Sequence, residues 1–264
     1  MKKKLTPRTR LDIALVERGL VTTRERARGM ILAGQVTVNG EVVSKAGSPI
    51  AADAAIALIT ADHPYVSRGG VKLAGALDAF ALDVTGRRAL DVGASTGGFT
   101  DVLLQRGASS VIALDVGHGQ LDWRLRTDPR VVVREGVNAR ALSRDDVPYA
   151  PDLVTIDVAF ISLRHILPAL PPFLAPVADV VALVKPQFEA GRNEVGRHGI
   201  VSDPAVHERV IAQVTGYAAA AALARVAMAP SPITGATGNQ EFFLHLRGGS
   251  GIGDHGTRER VGIP

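Results

Sequence analysis

The run Asp91-Val92-Gly93-Ala94-Ser95-Thr96-Gly97-Gly98-Phe99-Thr100 joins a short apolar strand, Arg88 to Val92, to an amphipathic helix, Gly97 to Arg106, with Gly107 as its stop. Glycines in a strand-to-helix turn let a ligand lie close against the backbone. The spacing here is Gly-x-x-x-Gly-Gly, which differs from the Gly-x-Gly-x-x-Gly of dinucleotide sites, and the Walker lysine is missing. Taken alone, such a turn is weak evidence of a ligand, and plain tight-turn chemistry is the other reading.

The strands beyond the turn make it informative. Ser110 to Asp115, Arg130 to Arg134, Leu153 to Asp157 and Asp179 to Lys185 are further apolar strands separated by other segments. Alternating strands and helices predict an α/β body, a Rossmann-like parallel sheet covered on both faces. Ligands of such sheets sit at the carboxyl ends of the strands. Asp115 ends the second strand 22 residues past Gly93, the distance at which an acidic side chain takes a ribose hydroxyl pair. The expected ligand is a nucleoside-bearing cofactor without a pyrophosphate fingerprint, and S-adenosylmethionine fits better than NAD. Asn138, after the third strand, is a candidate for the adenine, although a loop Asn is more often part of a turn.

Four more charged residues stand out by position: Lys72 ahead of the sheet, Asp157 ending the fourth strand, Lys185 ending the fifth, and Glu241 in Gly238-Asn239-Gln240-Glu241-Phe242. Singly, each is an ordinary surface charge or structural ion pair. Lys185 is the least ordinary, because a lysine capping an apolar parallel strand faces the ligand crevice.

Towards the N-terminus the character changes. Residues 1–60 carry ten Lys/Arg against five Asp/Glu, whereas residues 61–264 carry twenty against twenty-one. The net charge of +4 is therefore concentrated in the first quarter, a distribution expected of a polyanion-binding module attached to a neutral body. Helices are expected over Arg10 to Arg18, ended by Gly19, and over Arg24 to Ala33, capped by Thr22 or Thr23 and closed by Gly34. Gln35 to Val38 and Glu41 to Val43 form a hairpin about Asn39-Gly40, and a last strand lies near Ala55 to Ile59. Arg24, Arg26 and Arg28, with Arg10 and the run Lys2, Lys3, Lys4, are expected to make a basic face; arginine forks suit phosphate. No aromatic residue occurs in residues 1–60, which argues for recognition of structured RNA by shape and phosphate instead of base stacking.

Arg10-Leu11-Asp12, Gly19-Leu20, Thr23-Arg24, Ala27, Gly34-Gln35-Val36, Val38-Asn39-Gly40 and Val43 together resemble the S4 RNA-binding domain. In the body, Ser67 to Leu73, Leu90 to Thr100, Phe160-Ile161-Ser162-Leu163, Leu183 to Phe188 and Gly238 to Phe243 resemble FtsJ-like ribose 2′-O-methyltransferases. With both parts in one chain, residues 8–247 are similar to the TlyA family, also labelled hemolysin A. One departure from the family pattern is Ala159, where Ser is expected.

The resemblance implies a catalytic tetrad of Lys72, Asp157, Lys185 and Glu241. It implies S-adenosylmethionine held by Asp91, Gly93, Ser95, Gly97, Gly98, Phe99, Thr100, Asp115, Asn138 and Asp157, and methylation of cytidine 2′-hydroxyls in ribosomal RNA. Lys185 is the candidate base, which requires a neutral amine at proton transfer. A like charge at Lys72 and partial burial favour that form, while Asp157 and Glu241 oppose it and are read as orienting groups.

The expected organisation is an S4-like domain at 1–60, a linker at 61–70, a methyltransferase domain at 71–247 and a disordered tail at 248–264. Absence of cysteine excludes a disulfide scaffold and a thiolate nucleophile. No metal constellation is apparent around His165, His198 or His207. No segment reads as a secretory signal or a membrane span, so the default location is cytoplasmic. Two other readings stand beside the methyltransferase: a membrane-active hemolysin, and a non-catalytic RNA-binding protein of ribosome assembly.

Overall fold

The computed structural model describes residues 8–32, 34–59 and 63–248. Lys2, Lys3, Lys4, most of the expected tail and part of the expected linker lie outside them. The chain divides into two compact units, Met1–Pro64 and Tyr65–Pro264.

The first unit runs β1 (Arg8–Arg10), α1 (Leu11–Glu17), α2 (Arg24–Leu32), β2 (Val36–Val38), β3 (Glu41–Val42), β4 (Pro49–Ala51) and β5 (Ile56–Leu58). Leu11, Ala14 and Leu15 recur at helical spacing on α1 and meet Ala27 and Ile31 of α2 and Val36 of β2 in one buried cluster. The two helices and the hairpin follow the sequence closely. Asn39 and Gly40 both take positive φ, +52° and +86°, as a two-residue hairpin turn requires. The pairing of β1 with β4 has no counterpart in the sequence pattern. Arg8-Thr9-Arg10 carries no hydrophobic alternation, so only its backbone marks it as a strand.

The second unit runs α3 (Arg68–Ala79), β6 (Arg88–Val92), α4 (Gly98–Gln105), β7 (Ser110–Asp115), α5 (Trp123–Arg126), β8 (Val131–Glu135), β9 (Leu153–Ile156), β10 (Ala178–Val184), α6 (Pro186–Glu189), α7 (Pro204–Ala220), β11 (Ala224–Pro230) and β12 (Phe242–Gly248). Arg68, Gly69 and Gly70, expected in the linker, open α3. Their glycines read as loop, but Leu73, Ala76 and Leu77 give the segment a buried helical face. Gly70 serves packing, since a Cβ there would stand 2.4 Å from the Tyr65 ring.

The seven strands form one sheet in the order β11-β12-β10-β9-β6-β7-β8. The five from β10 to β8 are parallel, and β12 is antiparallel to both neighbours. Alternate residues feed opposite faces. Leu90, Ile112 and Leu114 join the cluster with α7, whereas Ala89, Val111 and Ala113 join the one with α3 and α4. Burial on both faces explains why these strands read as unbroken apolar runs. The Rossmann-like α/β body expected from the sequence is the fold observed, with one antiparallel strand inserted.

Strand order reverses between β6 and β9, because the chain leaves β6 outward through β7 and β8 before returning on the other side. The crevice of a doubly wound sheet opens at that reversal, beyond the strand ends. Among the described residues, no helix is long and apolar enough to cross a membrane.

Candidate active site

The glycine turn leaves β6 at the reversal. Gly93 has φ +85°, and a Cβ there would lie 2.2 Å from the Asp157 carbonyl oxygen beyond β9. Only glycine lets the two strand ends approach this closely. The Gly93 and Ala94 amides both donate to the Leu114 carbonyl, at 2.8 and 3.0 Å, which bends the turn over the end of β7. There Asp115 is fixed by two backbone amides, from Ser95 to Oδ2 at 2.8 Å and from Gly117 to Oδ1 at 2.7 Å. Each oxygen keeps acceptor capacity, since a carboxylate offers about four lone-pair positions.

Lys72, from α3, donates to Glu241 Oε2 at 2.5 Å. Lys185, one residue past β10, stands 2.5 Å from Asp157 Oδ1 as a charge contact without hydrogen-bond alignment. Four elements remote in sequence thus bring two lysines and two carboxylates together as two one-to-one pairs. Their side chains are nearly buried, with exposures of 11% for Lys72, 3% for Glu241, 13% for Lys185 and 22% for Asp157. One cleft is lined by Lys72, Gly93, Ser95, Phe99, Asp157 and Thr234.

Several expected residues are placed elsewhere. Asp91 is wholly buried behind the turn and accepts hydroxyl bonds from Thr100 at 2.7 Å and Thr155 at 2.9 Å. Burial pushes its carboxyl up to about 7 against the pull of those two hydroxyls. Asp91 and Thr100 therefore fasten β6, β9 and the start of α4, and they do not line the cleft. Asn138 is exposed and its side-chain oxygen accepts from the Arg140 backbone amide and guanidinium, so it shapes its own turn. Gly97 starts α4 at φ +97°, and Gly98 packs where a Cβ would strike Ser67 Oγ at 2.3 Å.

Three groups are not among the site residues expected from the sequence. Asn239 is fully buried, donates to the Gly199 carbonyl and accepts from the Val201 amide, tying down the loop that delivers Glu241. Glu189 is buried and accepts from Ser162 Oγ at 2.6 Å and the Leu163 amide at 2.7 Å, joining the segment after β9 to α6. Phe160 is 90% exposed at φ +61°, its ring 5.2 Å from that of Phe188. An exposed aromatic held in the left-handed region is costly and persists where its surroundings fix it. Phe160 and Phe188 each lie three residues beyond a charged site residue, and that offset is the signal the sequence offered.

In the first unit, Arg10, Arg24 and Arg28 converge on Asp12, which is fully buried. Arg26 departs from the expected basic face and donates to His63 Nδ1 at 3.0 Å. Helix geometry is the reason: residues four apart share a face, whereas two apart differ by about 200°.

Fold and site define a two-unit protein, a small helix-and-hairpin module preceding a Rossmann-like body whose strand ends carry a glycine turn, a carboxylate oriented by two amides and a lysine–carboxylate tetrad. Family comparison agrees: the FtsJ-like methyltransferase model matches residues 65–248 and the S4 domain model residues 9–56. The chain is 48% identical over 241 residues to the 16S/23S rRNA (cytidine-2′-O)-methyltransferase TlyA of Mycobacterium tuberculosis, covering 91% of this chain and 90% of that one. It is 39% identical to the protein called Hemolysin A of Brachyspira hyodysenteriae, covering 90% and 99%. A solved structure, a putative hemolysin from Streptococcus thermophilus, matches with 45% identity and TM-score 0.72, covering 92% and 90%. The chain belongs to the FtsJ-like methyltransferase family, in its S4-bearing TlyA branch.

Proposed function

We propose that this enzyme methylates the 2′-hydroxyl of cytidine in ribosomal RNA, using S-adenosylmethionine, in the cytoplasm. The carrying observation is the convergence of Lys72–Glu241 and Lys185–Asp157 beside the glycine turn. The name of the M. tuberculosis relative supports the substrate.

The residues present fit the cofactor. Asp115, already oriented by two amides, suits a ribose hydroxyl pair, and the Gly93–Ser95 backbone offers a close floor beside it. Bound S-adenosylmethionine supplies a methyl group on a sulfonium, which is already an activated electrophile. This chain must hold the 2′-oxygen in line with that group and take up one proton. Lys185 first passes one proton to Asp157 Oδ1, 2.5 Å away, and its Nζ, then neutral, accepts the proton from the hydroxyl. Lys72, held by Glu241, donates a hydrogen bond to the hydroxyl oxygen and fixes its direction. Phe160 and Phe188 offer a face for the target base. Arg10, Arg24 and Arg28 grip RNA phosphates, joined by Lys2, Lys3 and Lys4.

The test is methyl transfer to purified ribosomal subunits with nucleotide-level mapping. Transfer to a cytidine 2′-oxygen is expected; transfer to a base, or none with cofactor bound, refutes the reading. Dye release from vesicles that persists in Lys185→Ala is the outcome that would favour the membrane-active alternative.

A further inference from the structure

The buried carboxylate of Asp12 has more partners than its charge can balance. Arg10 binds it bidentately, Nε to Oδ1 and Nη2 to Oδ2, both at 3.0 Å. Arg24 Nε reaches Oδ2 at 2.9 Å and Arg28 Nε reaches the same oxygen at 3.2 Å. Asp12 is 0% exposed, while the three arginine side chains are 46%, 49% and 52% exposed. The cluster therefore presents three guanidiniums for one carboxylate, with all the surplus positive charge on the solvent side.

The bonding pattern is as informative as the count. Arg24 and Arg28 spend only Nε on Asp12, and among the described residues no acceptor takes their Nη groups. A guanidinium anchored through Nε keeps its outer edge free to donate to another oxyanion. Arg24 and Arg28 lie one helical turn apart on α2, and Arg10 enters from the end of β1, close against Gly47. Three like charges so close would otherwise splay apart. A buried counter-charge holds them together and settles their rotamers before any ligand arrives.

We propose that Asp12 is a positioning residue that assembles Arg10, Arg24 and Arg28 into a preformed cradle for RNA phosphodiesters. This rests on the reading that the first unit grips RNA, and it adds an acidic residue as the organiser of that grip.

Asp12→Asn adds one unit of net positive charge, so if phosphate attraction depended on charge alone, RNA would bind more tightly with a steeper salt dependence. With a cradle, the freed guanidiniums disperse and the opposite is expected. Affinity of the full-length protein for a short RNA duplex should fall about tenfold, and the slope of log K against log salt should become shallower. A second variant carrying Arg24→Lys and Arg28→Lys keeps every charge, alters only half-exposed side chains and removes the forks. It should lose affinity to a similar extent. A fold defect alone would lower melting temperature without this match between the two variants.

Tighter or unchanged binding by folded Asp12→Asn, with weakened binding by Arg24→Ala plus Arg28→Ala, overturns the proposal and leaves the RNA reading standing. Unchanged binding by Arg24→Ala plus Arg28→Ala overturns the RNA reading of this face itself. If Asp12→Asn does not fold, the double lysine variant decides, and wild-type affinity there overturns the cradle.

Discussion

Two clusters of opposite charges sit in this chain and are built to different ratios. In the first unit, one buried carboxylate serves three half-exposed arginines. In the second, two lysines and two carboxylates pair one to one and are nearly buried. The first leaves positive charge facing solvent, which suits attraction of a polyanion. The second leaves almost none, and its tight pairing suits the handling of a single proton and a single hydroxyl. Stoichiometry and burial, more than residue type, separate a gripping surface from a reacting one.

The contrast between the two clusters breaks most visibly at Lys185. Lys185→Ala should lower the methyl-transfer rate by about 10²–10⁴-fold, the range of a positioned general base, with cofactor binding by calorimetry unchanged. Near-normal transfer would remove Lys185 from the base role. Removing residues 1–60 should abolish methylation of ribosomal RNA while leaving cofactor affinity within a few-fold; a parallel loss of both would mean that the first unit also shapes the cofactor site. Glu241→Gln leaves Lys72 buried without a counter-charge, a change that costs about 3–5 kcal/mol when one partner of a buried pair is lost. Thermal melting should register it as a large downward shift, whereas Arg24→Ala at the exposed cluster should shift melting little.

The pH dependences of the two units should differ in sign. Three guanidiniums hold the Asp12 carboxyl well below the usual carboxylate range. Its contribution is present above the unfolded value of about 4 and drains away as pH falls below it. Burial raises Asp91 to about 7, so its contribution is full below about 4 and is lost as pH climbs to about 7. The melting temperature of Asp91→Asn relative to the parent chain should therefore rise across that interval. A difference that stays flat with pH would show that Asp91 is ionised throughout.

Strands such as Arg88–Val92 and Ser110–Asp115 were legible in the sequence because burial on both faces wrote them as apolar runs closed by turn residues. The closing elements were not. From Pro204 to Pro230 a helix and an edge strand share alanine-rich, half-exposed composition, and neither period dominates. The tetrad was legible as a set of positions but not as pairs. Lys72 meets Glu241 across 169 residues only because β12 inserts beside β10. Asp91 and Asn138 looked like ligand groups by their place at strand ends, yet depth decided the first and a local turn the second. Asp12 was legible as part of a family motif, while its role as the meeting point of three arginines needed coordinates.

The most direct test of the methyltransferase assignment is ribose-methylation mapping of ribosomal RNA from cells lacking this gene, complemented with the parent chain or with Lys185→Ala. A cytidine 2′-O-methyl mark should return with the parent chain and stay absent with the variant. A mark restored equally by both, or no ribose mark that depends on the gene, would contradict the assignment.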